Sequence, residues 1–438
     1  MRAQAGGARV RPKTSSAVLL VTLLLGGALL GAPSRASAEG AVTFLRMTAD
    51  RCPESSGCEW RLSCGVGNGP QLTELVPSAT ARTKYSVDIN KVLEVKTFPT
   101  TIQCTAWEDD GWFSASWEQV GSATIQVPSG GNYKLTLSNK EQGSLHVDMA
   151  VDSLEIAPAA MPALPAMPAA APAAAAGKAP AKKAPAKAPV PRQYLAAFAP
   201  QKDGHAVVVG LDEKAFKAKV SELSGLGLQI DDFESFDVGG KRLWSGIFRN
   251  SSDQVQVIYG QDWDKFSTAW KKLTGGRMRL TDIEVYPNGN QNYFAGIFRD
   301  LGENHSLWVG QTRKDFENKV SELASYKSQR LLDFEAYGSG TTTLYAGTFR
   351  EDLNATEFWT GSKVADFLKR ANNLRGKNLQ ISDVETYKDG KDRVIEAVVR
   401  TGASGEVLIA PDVNAFAKHW RDMVNKGERL VCLDTFQE

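Results

Sequence analysis

The residues best suited to chemistry are acidic pairs that recur along the second half of the chain. Each pair has the form Asp-x-Glu, and an aromatic residue follows two positions later. Because the side chains of a strand alternate between its faces, the members of each set project from the same face. Paired carboxylates can act as acid and base in glycoside hydrolysis, or they can bind a ligand. The sets are Asp232, Glu234 and Phe236; Asp282, Glu284 and Tyr286; Asp333, Glu335 and Tyr337; and Asp383, Glu385 and Tyr387.

An arginine accompanies each acidic pair. It ends the strand-like segments "RLWSGIFRN", "NYFAGIFRD", "TLYAGTFRE" and "RVIEAVVRT", in which Arg249, Arg299, Arg350 and Arg400 lie fifty or fifty-one residues apart. The pattern favours ion pairs that hold each hairpin, with a row of groups that bind an extended ligand as the alternative. Catalysis is disfavoured because an enzyme needs one tuned site, whereas these copies are alike. The candidate binding residues come from the two central copies: Arg299, Asp282, Glu284, Tyr286, Arg350, Asp333, Glu335 and Tyr337.

The elements that position these groups form five β-β-α-β units between residues 193 and 438. In each unit two strands precede a helix that begins at Asp, Thr or Ser, and a third strand carries the acidic pair. One unit cannot bury its own apolar face, so the units must stack. The atypical first and last copies favour caps of an open arc, with a closed ring as the alternative. Each helix has one anchoring aromatic residue: Phe216, Phe266, Phe316, Phe367 and Phe416.

The unit, with its "YFAGIFR" and "DIEVY" strands, resembles the bacterial tandem repeat domain that occurs beside polyglycine hydrolases and related exported serine hydrolases. The resemblance covers residues 193–436. It implies an extended β/α array that accompanies serine hydrolase chemistry without performing it.

Residues 39–156 alternate as short strands separated by Gly, Pro and Asn, which predicts an all-β sandwich. The stretch "AWEDDGWFSASWEQVG" resembles the acidic loop of the C2 domain, a calcium- and lipid-binding sandwich. The resemblance implies calcium ligands at Glu108, Asp110 and Glu118, with Asp50 contributed by an earlier loop. Glu108 and Glu118 replace the shorter acid of the family, and this departure favours a sandwich that has lost its metal.

Four cysteines of this domain predict two disulfides, since an even number is expected of an oxidised module. The preferred pairing is Cys52 with Cys58 and Cys64 with Cys104, which leaves Cys432 unpaired. A zinc site is disfavoured because the cysteines lack a CxxC spacing and a nearby histidine.

Residues 1–38 predict a signal peptide, with a basic start, an apolar stretch at 17–30 and the small residues Ala36, Ser37 and Ala38. The protein is therefore expected to be secreted or periplasmic. Residues 157–192 are rich in Pro, Ala and Lys and predict an extended linker with a reach of about 110 Å.

The net charge of +1 over 438 residues argues against a dedicated nucleic-acid binder. The sequence contains no HExxH or GxSxG motif, so we predict no active site. The predicted function is that of an exported, non-enzymatic binding protein for a peptide, glycan or protein partner, with cell wall and membrane surface as further partners. The alternatives are an accessory of a hydrolase that acts on wall polymer or peptide, and a calcium-dependent membrane-surface module.

Overall fold

A sandwich of two β-sheets forms the first part of the computed structural model. Its apolar core lies between the sheets and includes Phe44, Leu62 and Val147. The model describes residues 38–50, 60–67, 73–76, 86–109, 117–139, 143–157, 160, 191–339, 342–352, 354 and 356–437. The sandwich strands are β1 (Ala38–Ala49), β2 (Trp60–Val66), β3 (Thr73–Val76), β4 (Ser86–Val95), β5 (Thr100–Asp109), β6 (Trp117–Val127), β7 (Gly131–Asn139) and β8 (Gly143–Ile156).

The Cys64–Cys104 disulfide, predicted from the sequence, joins β2 to β5 in one sheet of the sandwich. Cys432 is a free, buried cysteine. Cys52 and Cys58 lie outside the described residues, so their pairing stays a prediction. The predicted signal peptide also lies outside them, except for Ala38. Among the described residues, no helix is long and apolar enough to cross a membrane.

Residues 192–437 form three-stranded sheets, each with one helix packed against it; we call each such group a blade. The strands are β9 (Arg192–Pro200), β10 (His205–Asp212), β11 (Leu228–Val238), β12 (Lys241–Asn250), β13 (Val255–Gln261), β14 (Met278–Asn288), β15 (Gln291–Asp300), β16 (His305–Gln311), β17 (Gln329–Ser339), β18 (Thr342–Glu351), β19 (Thr356–Lys363), β20 (Leu379–Asp389), β21 (Asp392–Thr401), β22 (Val407–Ala410) and β23 (Glu428–Gln437). The helices are α1 (Glu213–Gly225), α2 (Trp263–Thr274), α3 (Arg313–Tyr326), α4 (Val364–Asn372) and α5 (Val413–Asn425).

The helices begin and pack largely as the sequence predicts. Asp212, Asp262, Thr312 and Asp412 cap α1, α2, α3 and α5 by accepting a hydrogen bond from a backbone N–H of the first turn. The exception is α4, which follows Lys363 without a side-chain cap. The five predicted phenylalanine anchors are all fully buried, which confirms them as core residues: Phe216, Phe266, Phe316, Phe367 and Phe416.

The blades close into a ring. Strand β9, from the start of the repeat region, lies between β22 and β23 and so completes the last blade. The inner strands β11, β14, β17, β20 and β23 follow one another around the centre, and β23 also contacts β11. The open arc favoured by the atypical ends is therefore wrong. Those ends depart from the pattern because together they build one shared blade.

The sandwich and the ring pack together, although the sequence suggests separate modules on a tether. Strand β8 pairs in parallel with β10, so that one sheet runs from the sandwich into the first blade. Leu154 of β8 and Ala41 of β1 share an apolar core with Trp420 of α5. Backbone pairing and a common core hold the two parts in contact. The predicted linker at 157–192 lies almost entirely outside the described residues, so it stays a prediction.

Candidate functional site at the centre of the ring

The inner strand of each blade contains a β-bulge just before its acidic pair. In β14 the register shifts between Leu280 and Asp282. Without this shift, strand alternation would place Leu280 and Asp282 on the same face. The shift lets Leu280 join Ile283 in the blade core, while Asp282 and Glu284 face the preceding blade. The same shift occurs in β11, β17, β20 and β23.

The first acid of each pair belongs to a layer that we call the Asp tier: Asp232, Asp282, Asp333 and Asp383. Three of these carboxylates accept a hydrogen bond from a backbone N–H of the preceding inner strand. The contacts are Asp282 Oδ2 to Phe233 N at 3.1 Å, Asp333 Oδ2 to Ile283 N at 2.7 Å and Asp383 Oδ2 to Phe334 N at 3.0 Å. The Asp tier therefore joins adjacent blades.

The second acid belongs to a layer that we call the Glu tier: Glu234, Glu284, Glu335, Glu385 and, from the last blade, Asp434. Glu284 accepts hydrogen bonds from the hydroxyl of Ser235 at 2.7 Å and from its backbone N–H at 3.2 Å. Carboxylate oxygens of Glu234, Glu335 and Glu385 all lie within 4.8 Å of one another. Within the described part of the chain, these three form the group of acidic, His or Cys side chains spaced to hold a metal ion.

Burial changes the protonation of both tiers. It raises the pKa of Asp232, Asp282 and Asp333 well above the usual range, and repulsion from neighbouring acids adds to the effect. Burial also raises the pKa of Asp383 and of Glu284 to about 7. The pKa values of Glu234, Glu335 and Glu385 are raised well above normal for the same reasons. Burial and mutual repulsion therefore favour the protonated, neutral forms of these acids.

A polar cavity of about 290 Å³ lies beside the Asp tier. The lining includes three members of the Asp tier together with Asp231 and Gln201. Four of the blades each contribute one arginine, and we call these four residues the arginine mouth: Arg249, Arg299, Arg350 and Arg400. The repeated arginines thus converge on one opening.

Three arginines of the arginine mouth form ion pairs with aspartates. Arg249 Nε and Arg299 Nη2 each lie 3.0 Å from an oxygen of Asp231, and Arg400 forms an ion pair with Asp352. Arg350 differs. In the described part of the chain its guanidinium forms no hydrogen bond or ion pair, and its Nε is buried without a partner.

A substitution in the same strand accounts for the free Arg350. Arg299 Nη2 donates to the carbonyl of Ile230 in the preceding blade. The corresponding carbonyl for Arg350 belongs to Leu280, and the Thr348 hydroxyl donates to it at 2.7 Å. The other blades have an apolar residue at the position of Thr348: Ile247, Ile297, Val398 and Ala197. In this blade the hydroxyl of Thr348, and not the guanidinium of Arg350, donates to that carbonyl.

The candidate tyrosines lie between blades and not on a free surface. Tyr286 is 5% exposed and packs edge-on against Trp244 of the first blade, with ring centres 5.4 Å apart. Tyr337 is 6% exposed, and its hydroxyl accepts a hydrogen bond from the backbone N–H of Gly310 at 3.0 Å. The acids and tyrosines do share a face, as predicted, but ring closure buries that face. The extended ligand-binding row expected from these positions is therefore not formed.

The predicted calcium ligands of the sandwich are only partly described. Glu108 is buried in β5 and lies opposite Glu118 in β6. Asp50 is exposed and lies 3.0 Å from Nε2 of His146. Asp110 and the side chain of Glu118 lie outside the described residues, so this calcium site stays a prediction.

One buried network that the sequence did not indicate links the third and fourth blades. Glu396 Oε1 accepts hydrogen bonds from Arg313 at 2.6 Å, from the Tyr387 hydroxyl at 2.9 Å and from the Gly361 N–H at 3.1 Å. Glu396 replaces the Ser or Ala of the preceding copies, which is the signal that could have identified it.

A second such network joins the sandwich to the ring. His205 Nδ1–H donates to Asp152 Oδ1 at 2.7 Å, and Trp420 Nε1–H donates to His205 Nε2 at 3.2 Å. Arg429 Nε lies 2.7 Å from Asp152 Oδ1. Burial lowers the pKa of His205 to about 4, so the imidazole is neutral and Arg429 supplies the positive charge.

Comparison with known proteins gives one match to a family model. Residues 252–300, which correspond to the second blade, match the family model of the polyglycine hydrolase-like structural repeat. No curated protein has a significant sequence match to the chain.

Solved structures give weak similarities. A C2 domain of plant extended synaptotagmin 1 is 11% identical with a TM-score of 0.20, and the match covers 27% of this chain and 95% of that domain. A second C2 domain is 14% identical with a TM-score of 0.19, over 26% of this chain and 97% of that domain. Human GIVD cytosolic phospholipase A2 is 7% identical with a TM-score of 0.21, over 78% of this chain and 37% of the enzyme. These values support no functional assignment.

Proposed function

We propose that the protein is an exported, non-enzymatic binding protein whose ring receives an anionic group of a peptide, glycan or protein partner at the arginine mouth. The observation that carries this proposal is Arg350, which lines a polar cavity and whose guanidinium forms no hydrogen bond or ion pair with the described residues. Arginine presents a planar fork of donors that matches carboxylate and phosphate groups.

The charges around the cavity support an anionic ligand. Burial and repulsion from neighbouring acids raise the pKa values of Asp232, Asp282 and Asp333, which favours their neutral forms. Arginines remain charged at any physiological pH. Burial thus weakens the negative charge that the Asp tier can set against the four arginines. An anionic group that enters the cavity meets arginines from several blades at once. Binding such a group would explain why the arginine is repeated in each of these blades.

The acidic pairs support binding in preference to acid-base catalysis. Asp282, Asp333 and Asp383 already accept backbone hydrogen bonds that connect the blades. A general acid must release and recover its proton during turnover. These carboxylates instead hold adjacent blades together through their backbone hydrogen bonds.

The test is the variant Arg350→Gln in the full chain. Binding of a fluorescein-labelled poly-glutamate peptide, with poly-glycine as the neutral comparison, is measured by anisotropy at low and moderate salt. Loss of a charge-assisted hydrogen bond should weaken binding by about tenfold or more, while the melting temperature stays unchanged because Arg350 holds no structural partner. Arg46→Gln, an exposed arginine of the sandwich, is the matched control. Equal affinity of all three proteins for poly-glutamate would refute the proposal.

A second candidate function is an accessory of a hydrolase that acts on wall polymer or peptide. The match of residues 252–300 to a polyglycine hydrolase-like structural repeat favours it. In the same assay this function predicts that poly-glycine binds more tightly than poly-glutamate and that Arg350→Gln has little effect. Release of peptide fragments by the chain alone, followed by mass spectrometry, would contradict a non-enzymatic role.

A further inference from the structure

We propose that the arginine mouth binds the C-terminal carboxylate of a peptide chain whose last side chain is apolar. This assignment rests on the proposed function, because it specifies which anionic group Arg350 receives. A closed floor, a single unpaired guanidinium and apolar residues in the lining of the cavity all point to a chain end.

The cavity is closed on its inner side. Its lining comes from all five inner strands and includes three acids of the Asp tier, but it contains no acid of the Glu tier. Asp282 and Asp333 are 4% and 8% exposed, and each accepts a backbone hydrogen bond from the preceding blade. The Asp tier therefore forms a floor that a ligand reaches but does not pass.

The size of the cavity excludes a chain that enters and leaves again. An extended residue occupies roughly 160 Å³, given a rise of about 3.4 Å and spacings of about 4.8 and 10 Å to its neighbours in packed sheets. The cavity of about 290 Å³ thus holds fewer than the four residues of a tight turn. A main chain that enters the cavity must end there.

The ion pairs at the mouth fit one carboxylate. Three guanidiniums of the arginine mouth already have an aspartate as countercharge. Arg350 is half-buried, and its guanidinium forms no hydrogen bond or ion pair with the described residues. One free fork of donors matches the two oxygens of one carboxylate. A phosphate dianion would need a second unpaired cation, and the described lining of the cavity offers none.

Two apolar residues, Leu332 and Val431, line the same cavity, and both are half-buried. Each is the extra residue at the bulge of its inner strand, and Leu332 belongs to the same blade as Arg350. A terminal residue presents its carboxylate and its side chain from one Cα, so it can reach Arg350 and cover apolar surface together. The carboxylate of an internal glutamate lies at the tip of the side chain, so it reaches Arg350 without bringing an apolar group.

The experiment compares three peptides that carry the same uncharged fluorophore at the N-terminus, using anisotropy with the full chain at one pH and ionic strength. The first is Gly-Gly-Gly-Gly-Leu with a free carboxylate, and the second is its C-terminal amide. The third is the amide of Gly-Gly-Glu-Gly-Leu, whose one carboxylate is in a side chain. We expect the free acid to bind about tenfold or more tightly than either amide, because it alone brings the carboxylate and the apolar side chain together.

Variants assign this preference to residues. It should disappear in Arg350→Gln and persist in Arg277→Gln, which changes an exposed arginine of the second blade. Leu332→Ala should weaken binding of the free acid by about threefold or more, since less apolar surface is covered. Unchanged affinity in Leu332→Ala would overturn the apolar last residue.

The outcomes separate this proposal from the proposed function. If the glutamate amide binds as tightly as the free acid and Arg350→Gln weakens both, the chain end is wrong and the anion site stands. If all three peptides bind equally and Arg350→Gln changes nothing, both are wrong. Inorganic phosphate that displaces the free acid at a lower concentration than acetate would also overturn the carboxylate. The comparison of acid with amide uses the unmodified chain, so it remains decisive if a variant fails to fold.

Discussion

The contact between sandwich and ring should depend on one buried carboxylate. Asp152 is fully buried and accepts two hydrogen bonds from His205, through Nδ1 at 2.7 Å and through the backbone N–H at 3.2 Å. Arg429, which is 1% exposed, lies 2.7 Å from the same oxygen. Replacing Asp152 by Ala leaves the guanidinium without its countercharge and both His205 donors without an acceptor.

The expected loss follows from these contacts. Removal of one partner from a buried ion pair costs about 3–5 kcal/mol, because the remaining charge stays out of water. The two orphaned donors of His205 act in the same direction, while water that enters the space left by the side chain offsets part of the penalty. We therefore expect Asp152→Ala to lower the free energy of unfolding by about 3–5 kcal/mol. The double variant Asp152→Leu with Arg429→Met should lose less, since it removes the charge as well.

Urea unfolding of the full chain, followed by circular dichroism, measures this loss. Asp88→Ala is the matched control. Its ion pair with Arg46 is exposed, so the change should cost less than about 1 kcal/mol. A cost for Asp152→Ala as small as that of the control would show that the buried network does not hold the two parts together.

Three further predictions concern the ring and the thiols. In chelator, the free energy of unfolding should rise as the pH falls from about 8 towards 6, because burial raises the pKa of Glu284 to about 7 and the folded state takes up protons that the unfolded state does not. Stability that falls over this range would refute the reasoning. Phe316→Ala should cost about 3–5 kcal/mol in urea unfolding, and Tyr337→Ala should also destabilise because both rings are buried; unchanged stability of either variant would place its ring outside the core. Cys432 should react with a thiol reagent only after denaturation, whereas the 64–104 disulfide should stay unreactive without a reductant, as mass spectrometry can check.

Local features of the fold could be predicted from the sequence because they depend on neighbours along the chain. The anchors such as Phe266 follow from helical spacing, and the cap at Asp262 follows from its position before the first turn. The shared face of Asp282 and Glu284 follows from strand alternation. The bulge before Asp282 leaves no comparable signal, because it adds a residue to an otherwise regular strand. Because of this bulge, the face that carries Asp282 and Glu284 contacts the preceding blade instead of solvent.

Ring closure depends on contacts between distant residues, so it could not be predicted from local patterns. Tyr194 of β9 pairs with Ala410 of β22 and with Thr435 of β23, across most of the repeat region. The same applies to the join with the sandwich, where Gly130 must lack a side chain. A Cβ at Gly130 would lie 2.1 Å from the carbonyl oxygen of His205. In the sequence this glycine resembles any other turn residue.

The last blade departs from the repeat pattern in its inner strand, and ring closure explains the departure. Cys432 occupies the Asp-tier position of β23, and Asp434 occupies the Glu-tier position. An aspartate in place of Cys432 would add a fifth carboxylate to a buried layer whose four members already repel one another. The thiol, whose pKa is raised by burial and by Asp232 and Asp383, stays neutral there. Asp434 is one methylene shorter than glutamate and accepts a hydrogen bond from the Thr435 N–H. The neutral thiol in the last blade thus limits the negative charge that ring closure brings together in the Asp tier.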